Sequence, residues 1–418
     1  MSSTPPSSPP AASAAAQRTE GPRFDHDVVV VGGCGHAGLP LGIALGQCGM
    51  SVVLFDINEA AVDIVNDGRL PFDEEGAQVP LTELRAAGRL VATTAPDVLG
   101  SAEYVVVVIG TPVDKHLNPD PTSVVNAIAQ FADHIGPGQV IVLRSTVYPG
   151  VTALVERYLA GRGLDNVVCF CPERIAQGRS MAELHELPQI ISARTPEGMA
   201  RARQMFARLA PELIELQPEE AELAKLFTNT WRYIRFAAAN QLFMMANDFG
   251  LDFERIRHAL ITNYPRAADM PGPGFAAGPC LFKDTMQLAA FNNNQFTLGH
   301  TSMMINEGLP LYVVARLERR FDLAGTSVGI LGTAFKGESD DIRASLAYKL
   351  KHILAFKAKR VLCADPYVTV DPELVPQDEL LDSVDLVIIG APHTRYAMLD
   401  IKRPVVDVFN IRRQGVLI

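Results

Sequence analysis

The sequence predicts an α/β protein in which two doubly wound domains are joined by an all-α middle domain built on a long helix. Three observations predict it. Short β-branched runs alternate with helix-length segments through the first half, as in a parallel sheet covered by helices. A central stretch then lacks any strand-like run, and the alternation resumes near residue 327. The third is size: 418 residues, 48% of them hydrophobic, exceed what one core organises.

Residues 1–22 are Ser, Pro and Ala with little apolar area to bury, and a disordered tail is expected there. From 23 to 216, HDVVVVGGCGHAGLPLGIALGQCGMSVVLFDIN reads as strand, glycine turn, helix and strand, with Gly49 closing the helix. Further strands are expected at YVVVVIG, QVIVLRS, NVVCF, QIISA and ELIEL. Residues 217–320 read as helical. Pro218 with Glu219 and Glu220 opens a helix of about 30 residues that runs to Gly250. Its Ala, Phe and Met content predicts burial against another subunit or both flanking domains. From 321 to 418, SVGILG, RVLCADP, VDLVIIG and PVVDVFN recur at α/β spacing as a second, smaller domain, without residue-level repetition of the first.

The formal charge is −10 and no run of Lys and Arg is long enough to track a phosphate backbone, which excludes nucleic acid as the main partner. In so acidic a chain an anionic substrate requires a locally basic pocket. No apolar run reaches the ~18 residues of a membrane span, so a soluble protein is expected. Six scattered cysteines without a signal peptide fit a reducing cytoplasm. Cys169 and Cys171 are read as strand cysteines on opposite faces rather than half of a metal site, and no metal is expected.

Gly33-Cys34-Gly35-His36-Ala37-Gly38 follows a strand and opens a helix, the G-x-G-x-x-G of a Rossmann-like dinucleotide site. Its glycines permit a tight turn, the approach of a pyrophosphate and close helix packing, while the helix N-terminus attracts the phosphate charge. Asp56 ends the next strand, where a carboxylate binds the adenosine ribose hydroxyls and repels a 2′-phosphate. No arginine follows in INEAA, so NAD is expected rather than NADP. Thr111 in IGTPVD and Thr146 in RSTVYPG fall at the carboxyl edge of the next strands, within expected reach of cofactor or water.

Further on, GFAAGPCLFKD places Cys280 behind Gly274, Gly278 and Pro279 and ahead of Lys283 and Asp284. Small residues admit a ligand, and a lysine with a helix start favours thiolate. Cys280 is therefore a candidate reactive thiol, while the other five cysteines read as buried small hydrophobes.

Read together, GCGHAGLP, CPERIAQG, AKLFTNT and GFAAGPCLFKD, backed by AFKGESDDIRAS and DPYV, resemble the nucleotide-sugar 6-dehydrogenases of the UDP-glucose/GDP-mannose dehydrogenase family, in order and spacing from residue 24 to residue 410. The resemblance implies an N-terminal NAD-binding domain, a helical middle that forms a homodimer, and a C-terminal domain that binds the nucleoside diphosphate of a UDP-sugar. It also implies oxidation of the sugar C6 alcohol to a uronic acid, a four-electron change that reduces two NAD. By the same resemblance Cys280 is the nucleophile, forming a thiohemiacetal and then a thioester, and Asp284 is a base for the hydrolytic water. Glu173 assists proton transfer and Thr146 positions water. Lys225 and Asn229, four apart on one helix face, join the site, with the ammonium stabilising a developing alkoxide. Lys336 and Arg343 contact sugar and cofactor, Gly274 admits the sugar, and Arg266 reaches the substrate, in some members across the dimer. His36 where tyrosine is frequent, Tyr148 for a common proline and AAGPC for paired glycines imply a remodelled sugar pocket. CPER resembles the N-acetylhexosamine branch and CLFKDT the UDP-glucose branch; the expected substrate is a UDP-N-acetylhexosamine (UDP-ManNAc, UDP-GlcNAc or UDP-GalNAc), with UDP-glucose as the alternative.

Two readings of other classes compete. A two-electron hydroxyacid-type dehydrogenase shares the domain order but has no use for Cys280. A non-catalytic nucleotide-binding protein on a decayed dehydrogenase fold is opposed by intact Lys225, Asn229, Cys280 and Asp284.

Overall fold

The computed structural model describes residues 24–111, 113, 114 and 119–418; the expected tail lies outside them. The first unit contains β1 (His26–Val31), β2 (Val52–Phe55), β3 (Leu90–Thr93), β4 (Ala102–Val107), β5 (Val140–Leu143) and β6 (Val167–Phe170), a parallel sheet in the order β3-β2-β1-β4-β5-β6. Val28 and Val30 enter one apolar cluster and Val29 and Val31 the other, so both faces of β1 are covered. That is the doubly wound layout the β-branched runs predict. Edge strand β3 was not foreseen, because Val91 and its neighbours leave one face to solvent. QIISA and ELIEL do form β7 (Gln189–Ser192) and β8 (Leu213–Leu216), but these pair with each other as a separate sheet.

Cys169 and Cys171 correct one expectation. They lie on one face, in one apolar cluster, because residues two apart along a strand point the same way. Burial pushes both thiols up, Cys171 to about 12, so they pack as small apolar groups.

The second sheet comprises β9 (Ser327–Leu331), β10 (Arg360–Ala364), β11 (Leu386–Ile389) and β12 (Val405–Val406), all parallel, in the order β10-β9-β11-β12. This repeats β2-β1-β4-β5 of the first sheet, an echo invisible in the residues themselves. The Gly32 N–H donates to Phe55 O at 2.9 Å and the Gly332 N–H to Ala364 O at 2.8 Å. Both glycines have positive φ, 75° and 91°. Asp365 follows β10 as Asp56 follows β2.

A 31-residue helix, Pro218–Asp248, connects the parts. Gln217 and Glu220 form a capping box around Pro218, and Gly250 at φ 72° ends the helix. Its polar residues are buried against different neighbours. Glu222 accepts from the Gly150 N–H (2.6 Å), the Thr152 N–H (2.8 Å) and the Thr152 hydroxyl (2.6 Å). Asn240 accepts from the Gly274 N–H at 2.9 Å and donates to Gly274 O at 3.0 Å. Asn247 accepts from the Ile418 N–H at 2.8 Å. The helix is thus buried against both flanking units, while Phe227, Trp231, Leu242, Met245 and Phe249 form an exposed apolar stripe. Among the described residues no helix is long and apolar enough to cross a membrane.

A side chain on Gly332 would place its Cβ 2.7 Å from Ala391, on a left-handed backbone, whereas one on Gly88 meets nothing within 4 Å. Gly332→Ala is therefore expected to cost about 3 kcal/mol or more and Gly88→Ala about 1 kcal/mol. Denaturant midpoints decide, and equal losses would refute tight packing at the second glycine turn.

Candidate active site

The cofactor wall begins at the turn after β1. A Cβ on Gly33 would stand 2.7 Å from Leu54 Cβ and Val30 O, and one on Gly38 2.3 Å from Gly32 O, so only glycine closes this turn. Gly35 instead faces open space, its nearest neighbour being Gly32 O at 3.6 Å. Ala37 caps the following helix, Gly38–Gln47, with no side-chain bond and no acidic residue in the first turn. That cradle suits a pyrophosphate. Asp56 accepts from the Cys34 N–H at 3.0 Å and the Asn58 N–H at 3.0 Å, one on each oxygen, which leaves lone pairs for ribose hydroxyls. The residues present therefore fit NAD.

His36 packs on Phe72 with ring centroids 4.0 Å apart and lies 3.1 Å from Gln177 Nε2. Burial pushes its imidazole down and Arg343 adds to the effect, so His36 is neutral. Gln177 O in turn accepts a short hydrogen bond from Lys336 of the C-terminal unit. The loop after β6 is thereby tied to both walls of the cleft.

Cys280 is the N-cap of the helix Leu281–Phe291; the residue is exposed, while protein crowds its sulfur. Asp284 lies one turn on, where its N–H donates to Cys280 O at 2.9 Å. The Asp284 side chain is fully buried, with Asn229 Nδ2 donating to it at 2.5 Å and Lys283 Nζ at 3.0 Å. Lys283 also donates to the Thr111 hydroxyl at 3.3 Å, and Thr111 donates to Thr146 O at 2.5 Å. Buried Lys225 completes the group on the long helix. Burial pushes its ammonium down, opposed by Asp284, Cys280 and Glu173. Glu173 is fixed by Arg144, whose guanidinium is 2.5 Å away and fully buried, and by the Arg174 and Ile175 N–H groups.

The structure therefore brings Cys280, Lys225, Asn229, Asp284, Glu173, Thr111, Thr146 and Arg343 around one cleft, with Arg343 close enough for Cys280 to feel its charge. Lys336 stands at its rim, against Gln177. Arg266 is apart: it is exposed and bonds Tyr264 at 3.3 Å. Gly274 is a correction, since it offers no open room. The space of its side chain is filled by the Phe409 ring at 2.5 Å, and both its backbone groups are taken by Asn240. Gly278 is likewise filled by Phe335. The thiolate expectation also changes: crowding by protein, then Asp284, push the Cys280 thiol up, and Lys225, Lys283 and Arg343 only partly offset this. Sequence reasoning missed Arg144 and Gln177, whose roles depend on contacts distant in the chain; Lys283 was noticed as a neighbour of the thiol but not as a partner of Asp284.

With a dinucleotide turn on one wall and an exposed cysteine on the other, fold and site define an NAD-dependent oxidoreductase. Comparison with known proteins narrows the class. Models of the UDP-glucose/GDP-mannose dehydrogenase family match the chain as its NAD binding domain (27–210), central domain (219–307) and UDP binding domain (329–414). The chain belongs to that family, whose members are NAD-dependent nucleotide-sugar dehydrogenases. A UDP-N-acetyl-D-mannosamine dehydrogenase of Pyrococcus horikoshii is 28% identical over 88% of this chain and 90% of its own. An NDP-N-acetyl-D-galactosaminuronic acid dehydrogenase of Ralstonia nicotianae is 28% identical over 91% and 94%. The solved UDP-glucose dehydrogenase of Pyrobaculum islandicum superposes with a TM-score of 0.84 at 26% identity, covering 91% of this chain and 94% of that one.

Iodoacetamide labelling, followed at Cys280 by mass spectrometry, is expected to accelerate with pH around a midpoint above that of a free thiol. Asp284→Asn removes a charge that disfavours thiolate and lowers the midpoint; Lys225→Met removes one that favours it and raises the midpoint. A wild-type midpoint below the free-thiol value would overturn these electrostatics.

Proposed function

We propose that this protein oxidises the C6 hydroxyl of a UDP-N-acetylhexosamine to the uronate, with Cys280 as the covalent nucleophile. The carrying observation is the exposed cysteine one helical turn from a buried carboxylate that Asn229 and Lys283 hold in place. NAD bound on the glycine turn supplies the two-electron acceptor for each of two oxidations. Lys225, buried in the cleft, stabilises the alkoxide that forms as the C6 hydroxyl loses its proton, an effect worth about 3 kcal/mol for a single well-placed donor. The Cys280 sulfur adds to the resulting aldehyde carbon and retains it as a thiohemiacetal, which the second oxidation converts to a thioester. Asp284 takes a proton from the water that cleaves the thioester, releasing acid and thiol, while Thr146 and Glu173 order the water and its proton.

Two named relatives act on N-acetylated sugars, and the CPER segment resembles that branch. UDP-glucose is the second reading, favoured by CLFKDT and by the Pyrobaculum structure. The stripe containing Trp231 is the surface on which a second copy docks, and it gives exposed Arg266 a route to the partner's cleft. Six free cysteines suit the cytoplasm.

Two NADH per sugar are expected, with Cys280→Ser forming no acid and Asp284→Asn losing roughly 10²–10⁴ in kcat. One NADH per sugar, unchanged in Cys280→Ser, would instead support a two-electron enzyme. Kinetics with UDP-ManNAc, UDP-GlcNAc, UDP-GalNAc and UDP-glucose test the sugar, and turnover of UDP-glucose alone would reverse the preference. Light scattering on Trp231→Glu tests assembly: a monomer is expected, and an undisturbed dimer would place the interface elsewhere.

A further inference from the structure

The C-terminal unit contains a buried polar cluster that touches none of the groups assigned a chemical step. The side chains of Asp365 and His393 are both fully buried. Asp365 Oδ2 accepts from the N–H groups of Thr333 (2.6 Å) and Ala334 (3.0 Å), and Oδ1 from those of Tyr367 (2.9 Å) and Val368 (3.2 Å). His393 Nε2 is 3.1 Å from Asp365 Oδ2, and His393 Nδ1 accepts from the Glu338 N–H at 3.0 Å. One tautomer, with the proton on Nε2, satisfies both contacts. Glu338 itself has φ 53°, a left-handed backbone that costs an L-residue energy and persists only where its surroundings fix it. Its carboxylate accepts from the Thr394 N–H (2.7 Å), the Thr394 hydroxyl (3.0 Å) and the Tyr367 hydroxyl (2.6 Å).

One Asp–His pair thus grips both ends of the stretch 333–338. Within it lies Lys336, and Arg343 follows; these are the side chains this unit extends toward Gln177 and Cys280. Asp56, in the matching position of the first sheet, keeps acceptor capacity for a cofactor, whereas Asp365 has five donors on its two oxygens. A carboxylate so filled is spent on the protein's own backbone. The DPYV segment accordingly supplies Asp365 to hold the start of the loop and Tyr367 to hold Glu338.

We propose that His393 is a positioning residue for nucleotide-sugar binding: with Asp365 it fixes the turn at Glu338 and so holds Lys336 and Arg343 at the cleft. The inference rests on the Cys280 cleft being the reaction site. His393→Ala leaves the Glu338 N–H without its acceptor. It is expected to raise the KM for UDP-sugar about tenfold, the effect of one lost buried partner, with kcat within about twofold. His393→Asn, whose Oδ1 can take the Glu338 N–H, recovers most of the loss. Hydrogen exchange in the ligand-free protein reads the brace directly: peptides covering 333–343 exchange faster in His393→Ala and near the wild-type rate in His393→Asn, while β9 to β12 stay protected. An unchanged KM for UDP-sugar, an Asn variant as poor as Ala, or faster exchange through the whole second sheet would each make His393 a residue of the fold alone and overturn the proposal. Acid formation by Cys280→Ser would overturn the cleft reading instead, and the exchange result then decides the brace by itself.

Discussion

The burial of polar side chains along the helix Pro218–Asp248 sets the register of everything else. A polar group taken from water is costly unless it is bonded, so each such residue demands one particular neighbour. Glu222 demands the turn at Gly150 and Thr152, Asn229 demands Asp284, Asn240 demands Gly274, and Asn247 demands the segment ending at Ile418. These residues are distributed along a rod about 46 Å long. Apolar packing alone tolerates sliding; these bonds do not. The helix therefore acts as a ruler between the two sheets.

The same logic explains a cationic cleft in an acidic chain. Lys225, Lys283 and Arg343 converge on Cys280, with Lys336 at the rim of the same cleft, although the whole molecule has a formal charge of −10. Only local charge matters at such distances, because salt screens the rest. Asp284 and Glu173 keep the cluster from being a plain anion trap: each holds a cation in a fixed direction. Protein crowding, and then Asp284, push the Cys280 thiol up against these cations.

Much of this was legible in the residues. The glycine turn, Asp56, the long helix from Pro218 and the four segments of the family were readable because they are local patterns: periodicity, caps and short spacings. The second sheet was also readable, but not its likeness to the first, since Gly332 and Asp365 repeat Gly32 and Asp56 in geometry without repeating the surrounding sequence. Side-chain partners across the chain were not readable. Nothing near Glu173 announces Arg144 as its clamp, and nothing near Gly274 announces Phe409. Small residues in a loop look like room for a ligand, yet an aromatic ring from another unit fills the same room equally well. The strand error at Cys169 and Cys171 had a different origin, a misapplied period of two.

The rings of Phe335 and Phe409 fill the hollows at Gly278 and Gly274, and both rings come from the C-terminal unit. During synthesis on the ribosome the N-terminal unit and the long helix emerge first. The cysteine loop, although already translated, has no complete mould until the last unit emerges and docks. The glycine turn after β1 can therefore be complete before the loop that carries Cys280 is ordered.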